Sequence, residues 1–464
     1  MARGQTLLDW RPSVTWAEGL GRQVEWQLAM TASPRRRDVV GVPRRPSPSP
    51  RLLIYGHDTY GLGHLRRNLT IAHGLTHAFP DLSILLLTGS PAVHNLAMPG
   101  NVDYVKLPSV VKVGNEDYQA RTLDVGAKEI VRMRAALIRE AVKGFAPDVV
   151  LVDHAPTGMK GEMLPALEEL RLTRPHARVV LGLRDIVDQP ERVRAQWKEQ
   201  GTYAVMERLY DAILVYGTSR ILDVAAAYDL PRAVSEKMQY CGYLRRKASS
   251  AAAASVRARL CPTGARLIVV TAGGGEDGHP LFRDYLTGLQ NGEAVANAVS
   301  VIVTGPFLPA PERAELARLA SGLPRVHLLD FTDELIGLMQ AADLTVCMGG
   351  YNTLCEVLSV GARALVVPRV EPRREQLLRA QAFAVLGLVD ILLPDALTPT
   401  TLLDRVKTLL SDRNTTRAQV QGAISSFAAA GGLDGLDATV HAIGGLLCPQ
   451  DSSATYRMSA AVAS

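Results

Sequence analysis

One stretch, residues 343–369, constrains the fold of this chain more than any other. It opens with the apolar run DLTVCM, which is typical of a buried strand, and continues through Gly349 and Gly350. We expect these glycines to adopt backbone angles that a side chain would forbid. Asn352 or Thr353 can then cap a helix, because the first helical turn exposes unpaired N–H groups. The pattern predicts a strand, a tight turn, a helix and a second strand.

This predicted turn suits an anion, because backbone N–H groups and the helix dipole both favour negative charge there. Glu356 lies about one turn inside the predicted helix, where its carboxylate could accept hydrogen bonds from two hydroxyl groups. The alternative is an ordinary strand–helix–strand unit in which Glu356 faces solvent. On this stretch alone, both interpretations stand.

The whole chain alternates strand and helix patterns, which predicts parallel sheets covered by helices on both faces. Ligands bind such sheets at the carboxyl ends of the strands. Several polar residues follow predicted strands at that edge, namely His64, Asp153, His154, Arg184 and Asp185. A cleft is therefore expected where these side chains meet.

Two familiar nucleotide motifs are excluded. The first glycine loop contains Gly61 and Gly63, but Arg66 stands where a dinucleotide-binding fingerprint has its third glycine. The loop also lacks the Gly-Lys-Ser/Thr ending of a phosphate-binding P-loop. A second loop, Gly273, Gly274 and Gly275, directly follows the strand LIVVTA, and we expect its backbone N–H groups to approach a phosphate.

Composition narrows the classes of protein. The 464 residues allow two or three globular domains, with 47% hydrophobic and 21% charged residues. The net charge of +5 lies largely in the first fifty residues and comes with no nucleic-acid motif, so no nucleic-acid partner is expected. The five cysteines are scattered without a Cys-x-x-Cys pair, which argues against a disulfide framework or a zinc site and favours the cytoplasm. No apolar run has the length of a membrane span, and no signal peptide is visible.

The domain organisation follows from these patterns. Residues 1–50 are rich in proline, arginine and serine and are expected to be a disordered basic extension. One hypothesis is that translation starts at Met30, so that the first 29 residues are not part of the protein. The alternative is that this segment binds a membrane surface. The remaining segments are an N-terminal domain at 51–243, a linker at 244–261, a C-terminal domain at 262–425, a closing helix at 426–447 that packs back on the first domain, and a flexible tail at 448–464.

The segments around residues 343–369 carry a resemblance. FTDELIGLMQAADLTV precedes the glycine pair, and PRVEPRREQ follows the next strand. This order resembles the donor-binding half of GT-B glycosyltransferases, including the lipid II-forming N-acetylglucosaminyltransferases of peptidoglycan synthesis. The implied fold class is α/β: two Rossmann-like, doubly wound parallel-sheet domains facing a central cleft. In such proteins the second domain binds a nucleotide sugar and the first binds the acceptor.

The resemblance also implies roles on the donor side. Phe331 and Thr332 lie where the family holds the uracil ring. Glu356 matches the carboxylate that takes the ribose hydroxyls, and Glu375 and Gln376 match the residues that contact the donor sugar. The glycine turns, with Asn352 and Thr353, would hold the diphosphate.

On the acceptor side, His64 is the expected general base, since a neutral imidazole titrates near neutral pH. The alternative is that His64 only packs the helix start. Asp153 could orient or replace His64, or be a structural strand-end residue. Gly61, Gly63, His154 and Arg184 are expected to line the acceptor half of the cleft. The chain contains no Asp-x-Asp metal clip, so no metal and no cofactor beyond the nucleotide sugar are expected.

The predicted function is an inverting, metal-independent glycosyltransferase that moves a hexose or N-acetylhexosamine from a nucleotide sugar, UDP-linked, to a hydroxyl acceptor. The acceptor, whether a lipid-linked saccharide, a polysaccharide or a small molecule, stays open. Contact with the inner membrane face fits a lipid-linked acceptor. The alternatives are a UDP-sugar 2-epimerase of the same fold and a non-catalytic nucleotide-sugar-binding protein.

Overall fold

The computed structural model describes residues 49–57, 63–112, 118–246, 249–292, 295–411 and 417–447. The predicted extension up to residue 48, Gly61 of the first glycine loop and the tail from residue 448 lie outside the described residues.

Seven parallel strands of the described residues form the first sheet, in the order β3-β2-β1-β6-β7-β8-β9. The strands of this half are β1 (Arg51–Gly56), β2 (Ser83–Thr88), β3 (Val102–Lys106), β4 (Val110–Lys112), β5 (Tyr118–Ala120), β6 (Val149–Asp153), β7 (Arg178–Arg184), β8 (Ala212–Tyr216) and β9 (Met238–Tyr240). Strands β4 and β5 form a separate antiparallel pair. The central strands are buried on both faces, which explains their continuous runs of Val, Leu and Ile.

Helices connect these strands. They are α1 (Gly63–Ala78), α2 (Ala127–Phe145), α3 (Leu164–Thr173), α4 (Pro190–Glu199), α5 (Thr202–Leu209), α6 (Val224–Ala227) and α7 (Arg232–Ser235). Helix α1 buries the face predicted by its spacing, with Leu65, Leu69, Ala72 and Leu75 against the sheet. This packing holds the start of α1, and hence His64, beside the carboxyl ends of β1 and β6.

In the described part of the chain, six parallel strands form the second sheet, in the order β12-β11-β10-β13-β14-β15. They are β10 (Arg266–Thr271), β11 (Ala298–Val303), β12 (Val326–Leu329), β13 (Leu344–Cys347), β14 (Ala364–Val366) and β15 (Asp390–Ile391). The helices of this half are α8 (Ser250–Leu260), α9 (His279–Gln290), α10 (Ala310–Ala320), α11 (Leu335–Ala341), α12 (Tyr351–Ser359), α13 (Glu375–Val385), α14 (Pro399–Ser411), α15 (Arg417–Ala429) and α16 (Gly435–Leu447). The two parallel sheets with interleaved helices confirm the predicted fold class.

The chain crosses between the domains twice, and the two crossings touch. The backbone N–H of Tyr243 donates to the carbonyl of Gly432 at 2.8 Å, and the N–H of Gly435 donates to the carbonyl of Tyr243 at 3.2 Å. After the second crossing, α16 lies against α1, where Gly444 lets the ring of Phe79 approach the helix backbone.

An aromatic cluster joins the domains beside the crossings. The ring of Tyr243 lies 5.2 Å from that of Phe383, 5.7 Å from that of Tyr351 and 6.1 Å from that of Phe427. These side chains belong to one buried apolar cluster that contains residues of both sheets. Among the helices described, none has the length and apolar character needed to span a membrane.

Candidate functional site

A histidine–aspartate pair lies at the carboxyl edge of the first sheet. Nδ1 of His64, at the start of α1, lies 2.7 Å from Oδ2 of Asp153, the last residue of β6. Arg67, one turn further along α1, donates to both oxygens of the same carboxylate at 2.7–3.0 Å. An ionised carboxylate only accepts hydrogen bonds, so Nδ1 of His64 carries the proton and Nε2 keeps a free lone pair.

The charge state of Asp153 follows from its surroundings. Burial alone would raise the pKa of this fully buried carboxyl, but Arg67 and His64 outweigh burial and lower its pKa to about 2. Asp153 is therefore ionised throughout the physiological range. The hydrogen bond from His64 to Asp153 restrains the orientation of the imidazole ring.

Two more histidines surround His64. The ring centroids of His57 and His154 lie 4.4 Å and 5.7 Å from that of His64. Burial lowers the pKa of the His57 and His154 rings. Nearby His64 lowers the pKa of His57 further, and nearby Arg184 lowers that of His154 further. Both outer rings are neutral at neutral pH. The described residues contain no group of three or more His, Cys, Asp or Glu side chains placed to hold a metal ion.

The second glycine turn faces this cluster across the cleft. The amide Nδ2 of Asn352 in α12 donates to the carbonyl of Gly63, the residue before His64, at 2.9 Å. The expectation that Asn352 or Thr353 caps the helix was wrong. The cap residue is Gly350, with φ −62° and ψ 140°, so the cap lies two residues before Asn352, and glycine has no side chain to make a capping hydrogen bond. Asn352 links the two domains instead.

One of the two glycines of this turn is needed for close packing. Gly349 and Gly350 do not have positive φ, so the expectation of unusual backbone angles was wrong. A Cβ at Gly349 would lie 2.7 Å from the carbonyl oxygen of Gln376, whereas one at Gly350 would lie 3.8 Å from Oγ1 of Thr353. Gly349 is required because the N-terminus of α13 approaches the turn closely.

The first glycine loop of the second domain does contain positive φ angles. Gly273 and Gly275 have φ of 69° and 97°, and a Cβ at Gly275 would collide with the carbonyl oxygen of Thr304. A Cβ at Gly273 would lie 3.4 Å from Oγ1 of Thr353 in α12. The two glycine turns are therefore neighbours, as a shared phosphate site requires, with Gly274 between the two glycines of positive φ.

Glu356 faces the other domain, where arginines contact it. Its side chain is 2% exposed, and its Oε1 accepts a hydrogen bond from Arg246 of the interdomain segment. Arg66 of α1 lies 3.9 Å from the same oxygen. These three residues line a small cavity together with Arg67, Thr70, Leu244, Asn352 and Cys355. Sequence reasoning missed Arg246, because it lies in a segment whose composition indicated only a linker.

The other residues predicted for the donor side lie along the same edge. Glu375 and Gln376, at the start of α13, are both buried, and each contacts Arg369: the guanidinium donates to Oε1 of Glu375 at 2.8 Å, and the backbone N–H donates to Oε1 of Gln376 at 3.2 Å. The ring of Phe331 is 42% exposed, as a surface for stacking would be. Oγ1 of Thr332 accepts the N–H of Glu334 at 3.1 Å and so shapes its own loop.

A buried ion pair that was not predicted joins the domains. Arg379 of α13 donates to both oxygens of Asp185, which follows β7, at 2.7 and 2.8 Å. Tyr243 donates to the same carboxylate at 2.6 Å, and Arg379 also donates to the carbonyl of Gly349 at 3.0 Å. Asp185 was noted only as a strand-end residue. The pairing of Asp185 with Arg379 fixes the position of the Gly349 turn relative to the first sheet.

Two such domains, with a cleft at the carboxyl ends of both sheets, define a GT-B fold. Solved structures agree: MurG of Acinetobacter baumannii superposes with a TM-score of 0.53 and 15% identity over 85% of this chain and 99% of that chain. A putative UDP-N-acetylglucosamine 2-epimerase of Listeria monocytogenes gives a TM-score of 0.56 and 12% identity over 86% and 96%. At these identities the likeness concerns the fold.

Sequence comparison finds a family model that matches part of the second domain. Residues 286–431 match the model of the glycosyltransferase family 28 C-terminal domain. The UDP-N-acetylglucosamine--N-acetylmuramyl-(pentapeptide) pyrophosphoryl-undecaprenol N-acetylglucosamine transferase of Rubrobacter xylanophilus is 36% identical over 101 residues, which are 22% of this chain and 30% of that relative. The chain thus matches less than a third of the length of that relative. These matches confirm the predicted resemblance to GT-B glycosyltransferases.

Proposed function

We propose that this protein is an inverting glycosyltransferase that moves a hexose or N-acetylhexosamine from a UDP-linked donor to a hydroxyl group of an acceptor, without a metal ion. One observation carries the proposal: the His64–Asp153 pair lies next to the second-domain glycine turns, because Asn352 of α12 bonds to Gly63. A base and a diphosphate cradle are the two parts that such a transfer needs.

In this reaction, Nε2 of His64 removes the proton of the acceptor hydroxyl as its oxygen attacks the anomeric carbon of the donor sugar. Asp153 holds the other ring nitrogen in its protonated form and stabilises the imidazolium that forms. The acceptor oxygen approaches from the face opposite the departing diphosphate, so the configuration at the anomeric carbon inverts. The low pKa of Asp153 keeps the carboxylate charged at every stage.

The leaving diphosphate would lie between the two glycine turns of the second domain. Backbone N–H groups of Gly273–Gly275 and the N-terminus of the nine-residue helix α12 supply positive partial charge. This supports a mechanism without a divalent cation, in line with the missing Asp-x-Asp motif. The ribose hydroxyls would donate hydrogen bonds to the Glu356 carboxylate. Arg246, which donates to that carboxylate in this structure, has to leave it when the donor binds.

A lipid-linked acceptor agrees with the surface of the first domain. Met133 and Leu137 are 37% and 41% exposed and lie one turn apart on α2, with Leu123 47% exposed in the preceding loop. Lys128 and Arg132, also exposed, lie on the same helix. Exposed Glu129 and Glu140 also lie on this helix, four residues before Met133 and three after Leu137. The exposed apolar side chains therefore carry this part of the proposal, a peripheral site at the cytoplasmic face of a membrane.

The donor is tested by thermal shift with UDP-, GDP- and TDP-sugars, since a ligand that binds only the folded state raises the melting temperature. We expect UDP-sugars to give the largest shift. Transfer is then tested with a radiolabelled UDP-sugar and lipid-linked saccharide, polysaccharide or phenolic acceptors. Incubation of the UDP-sugar alone tests the epimerase alternative. An epimerised sugar without acceptor, or no shift with any nucleotide sugar, would overturn the proposal.

A further inference from the structure

Arg184 lies at the carboxyl end of the first sheet, and its guanidinium group has no carboxylate partner among the described residues. It ends β7, and its Nη2 lies 2.9 Å from Nε2 of His154. Across the described part of the chain, no acidic oxygen comes within 4.0 Å of Arg184, although its neighbours are paired: Arg67 with Asp153 and Arg379 with Asp185. Arg184 is partly exposed, whereas Arg67 and Arg379 are 3% and 0% exposed.

The surroundings of Arg184 destabilise its positive charge. Burial lowers its pKa to about 10, and the nearby charges of Arg67, Arg379 and Arg373 act in the same direction against the opposing effect of Glu375. The group is still protonated at neutral pH. An uncompensated charge in a partly desolvated position is unfavourable unless an anion joins it.

His154 orients this guanidinium. Its backbone has φ of 72°, in the left-handed region that non-glycine residues rarely adopt, and its N–H donates to the carbonyl of Gly182 at 2.7 Å. The lowered pKa of the ring keeps Nε2 free to accept the Arg184 hydrogen bond. This backbone conformation and the neutral ring acceptor fix the position of the guanidinium at the carboxyl end of β7.

We propose that Arg184, positioned by His154, binds an oxyanion group of a substrate next to the reacting hydroxyl. The inference rests on the proposed function and names the class of its substrate: one of the two reactants is anionic close to the reaction centre. His154 contacts Arg184 and its ring lies 5.7 Å from that of His64, so the bound group lies near the proposed base.

Two sources would supply the same chemistry, namely a phosphate or diphosphate of the acceptor and a carboxylate of the donor sugar. The test uses inorganic pyrophosphate and glucuronate as probes. Each is titrated calorimetrically into the full chain saturated with UDP, so that the donor diphosphate site is occupied. The proteins are the wild type, Arg184→Gln, Arg184→Lys and Arg174→Gln. Arg174 pairs with Asp148 at the opposite edge of the same sheet and is the control.

We expect the wild type to bind at least one probe, Arg184→Gln to bind it at least about tenfold more weakly, and added NaCl to weaken binding. Arg184→Lys should retain part of the affinity, and Arg174→Gln all of it. Preference for pyrophosphate assigns the anion to the acceptor, and preference for glucuronate assigns it to the donor sugar. No binding of either probe to the wild type, or equal binding to Arg184→Gln, overturns the inference.

The UDP titration separates this inference from the proposed function. Arg184→Gln should bind UDP as the wild type does, because Arg184 lies on the acceptor side. If UDP binds none of the four proteins, the proposed function fails. The two probes are then titrated without UDP, and the comparison of wild type with Arg184→Gln still decides whether Arg184 binds an anion.

Discussion

Asp185 and Arg379, 194 residues apart in sequence, form a fully buried ion pair with two hydrogen bonds between the first and second domains. Burial removes both charges from water, so each depends on the other for its stabilisation. Tyr243 completes the site as a further donor to Asp185. Loss of this pair would remove one of the contacts that fix the position of the second domain relative to the first.

Replacing Asp185 with alanine leaves Arg379 as an unpaired charge in the interior. We expect the free energy of unfolding to fall by about 3–5 kcal/mol, measured by chemical denaturation. Arg232→Ala is the control, because Arg232 and Glu236 form an ion pair with 91% and 61% exposed side chains. That change should be less than about 1 kcal/mol. Equal effects of both substitutions would contradict the interdomain role.

The general base is tested with His64→Ala. Turnover should fall by about 10²–10⁴-fold, which is typical for the loss of general base catalysis, while UDP affinity stays within about twofold. His73→Ala, on the exposed face of the same helix α1, should leave both quantities unchanged. Full activity of His64→Ala would remove His64 from the mechanism.

Asp153 gives stability a defined pH dependence. Its pKa in the folded state, about 2, lies below the ordinary value of 3.8, so ionised Asp153 stabilises the fold. This contribution of about 2 kcal/mol is complete above pH 5 and is lost as pH falls through 4 toward 2. The stability difference between wild type and Asp153→Asn should therefore shrink by about 1 kcal/mol from pH 6 to pH 3.

A pH-independent difference would contradict this assignment. Since Asp153→Asn also leaves Arg67 without its carboxylate, the variant could fail to fold. In that case, NMR titration of the Asp153 carboxyl carbon in the wild type gives the same answer. A midpoint near 4 would be the contrary result.

Glu356→Gln tests the ribose site. The amide keeps the shape of the side chain but loses the charge, so UDP affinity should fall by at least about tenfold, which corresponds to one charge-assisted hydrogen bond. Glu334→Gln is the control, because Glu334 is an exposed carboxylate paired with Arg259 in the same domain. Calorimetric titration of UDP measures both. Unchanged affinity in Glu356→Gln would place the ribose elsewhere.

The two glycines of the second turn provide a matched pair. In Gly349→Ala, the new methyl group would meet the carbonyl oxygen of Gln376 at 2.7 Å, so we expect a loss of about 1–3 kcal/mol and weaker UDP binding. In Gly350→Ala, the methyl group has an ordinary contact at 3.8 Å and the backbone angles suit any residue. Chemical denaturation of both variants measures the difference, and equal stability would show that the Gly349 contact is not tight.

Local sequence patterns predicted the two sheets, the glycine turns and the meeting of His64 with Asp153. Each depends on short-range periodicity and on the rule that parallel strands place their carboxyl ends along one edge. The proximity of His64 and Asp153 could be predicted because His64 follows the loop after one predicted strand and Asp153 ends another, at the same edge of the sheet.

The interdomain contacts could not be predicted in this way. Arg379 lies on a helix with the spacing of an ordinary polar face, and only the docking of the domains buries it against Asp185. Asn352 looks like a helix cap, but the extended backbone of Gly350 places the cap two residues earlier and leaves the amide free to reach Gly63. Arg246 donates a hydrogen bond to Glu356, and it reaches this carboxylate because of the path that the interdomain segment takes, which the sequence does not specify.

The backbone bonds between Tyr243 and residues 432 and 435 tie the outgoing and returning chain into a single joint. The domains are also held by the Asp185–Arg379 pair and by the hydrogen bond from Asn352 to Gly63. Any swing about the joint therefore requires these contacts to break, so the described structure is the closed end of such a movement.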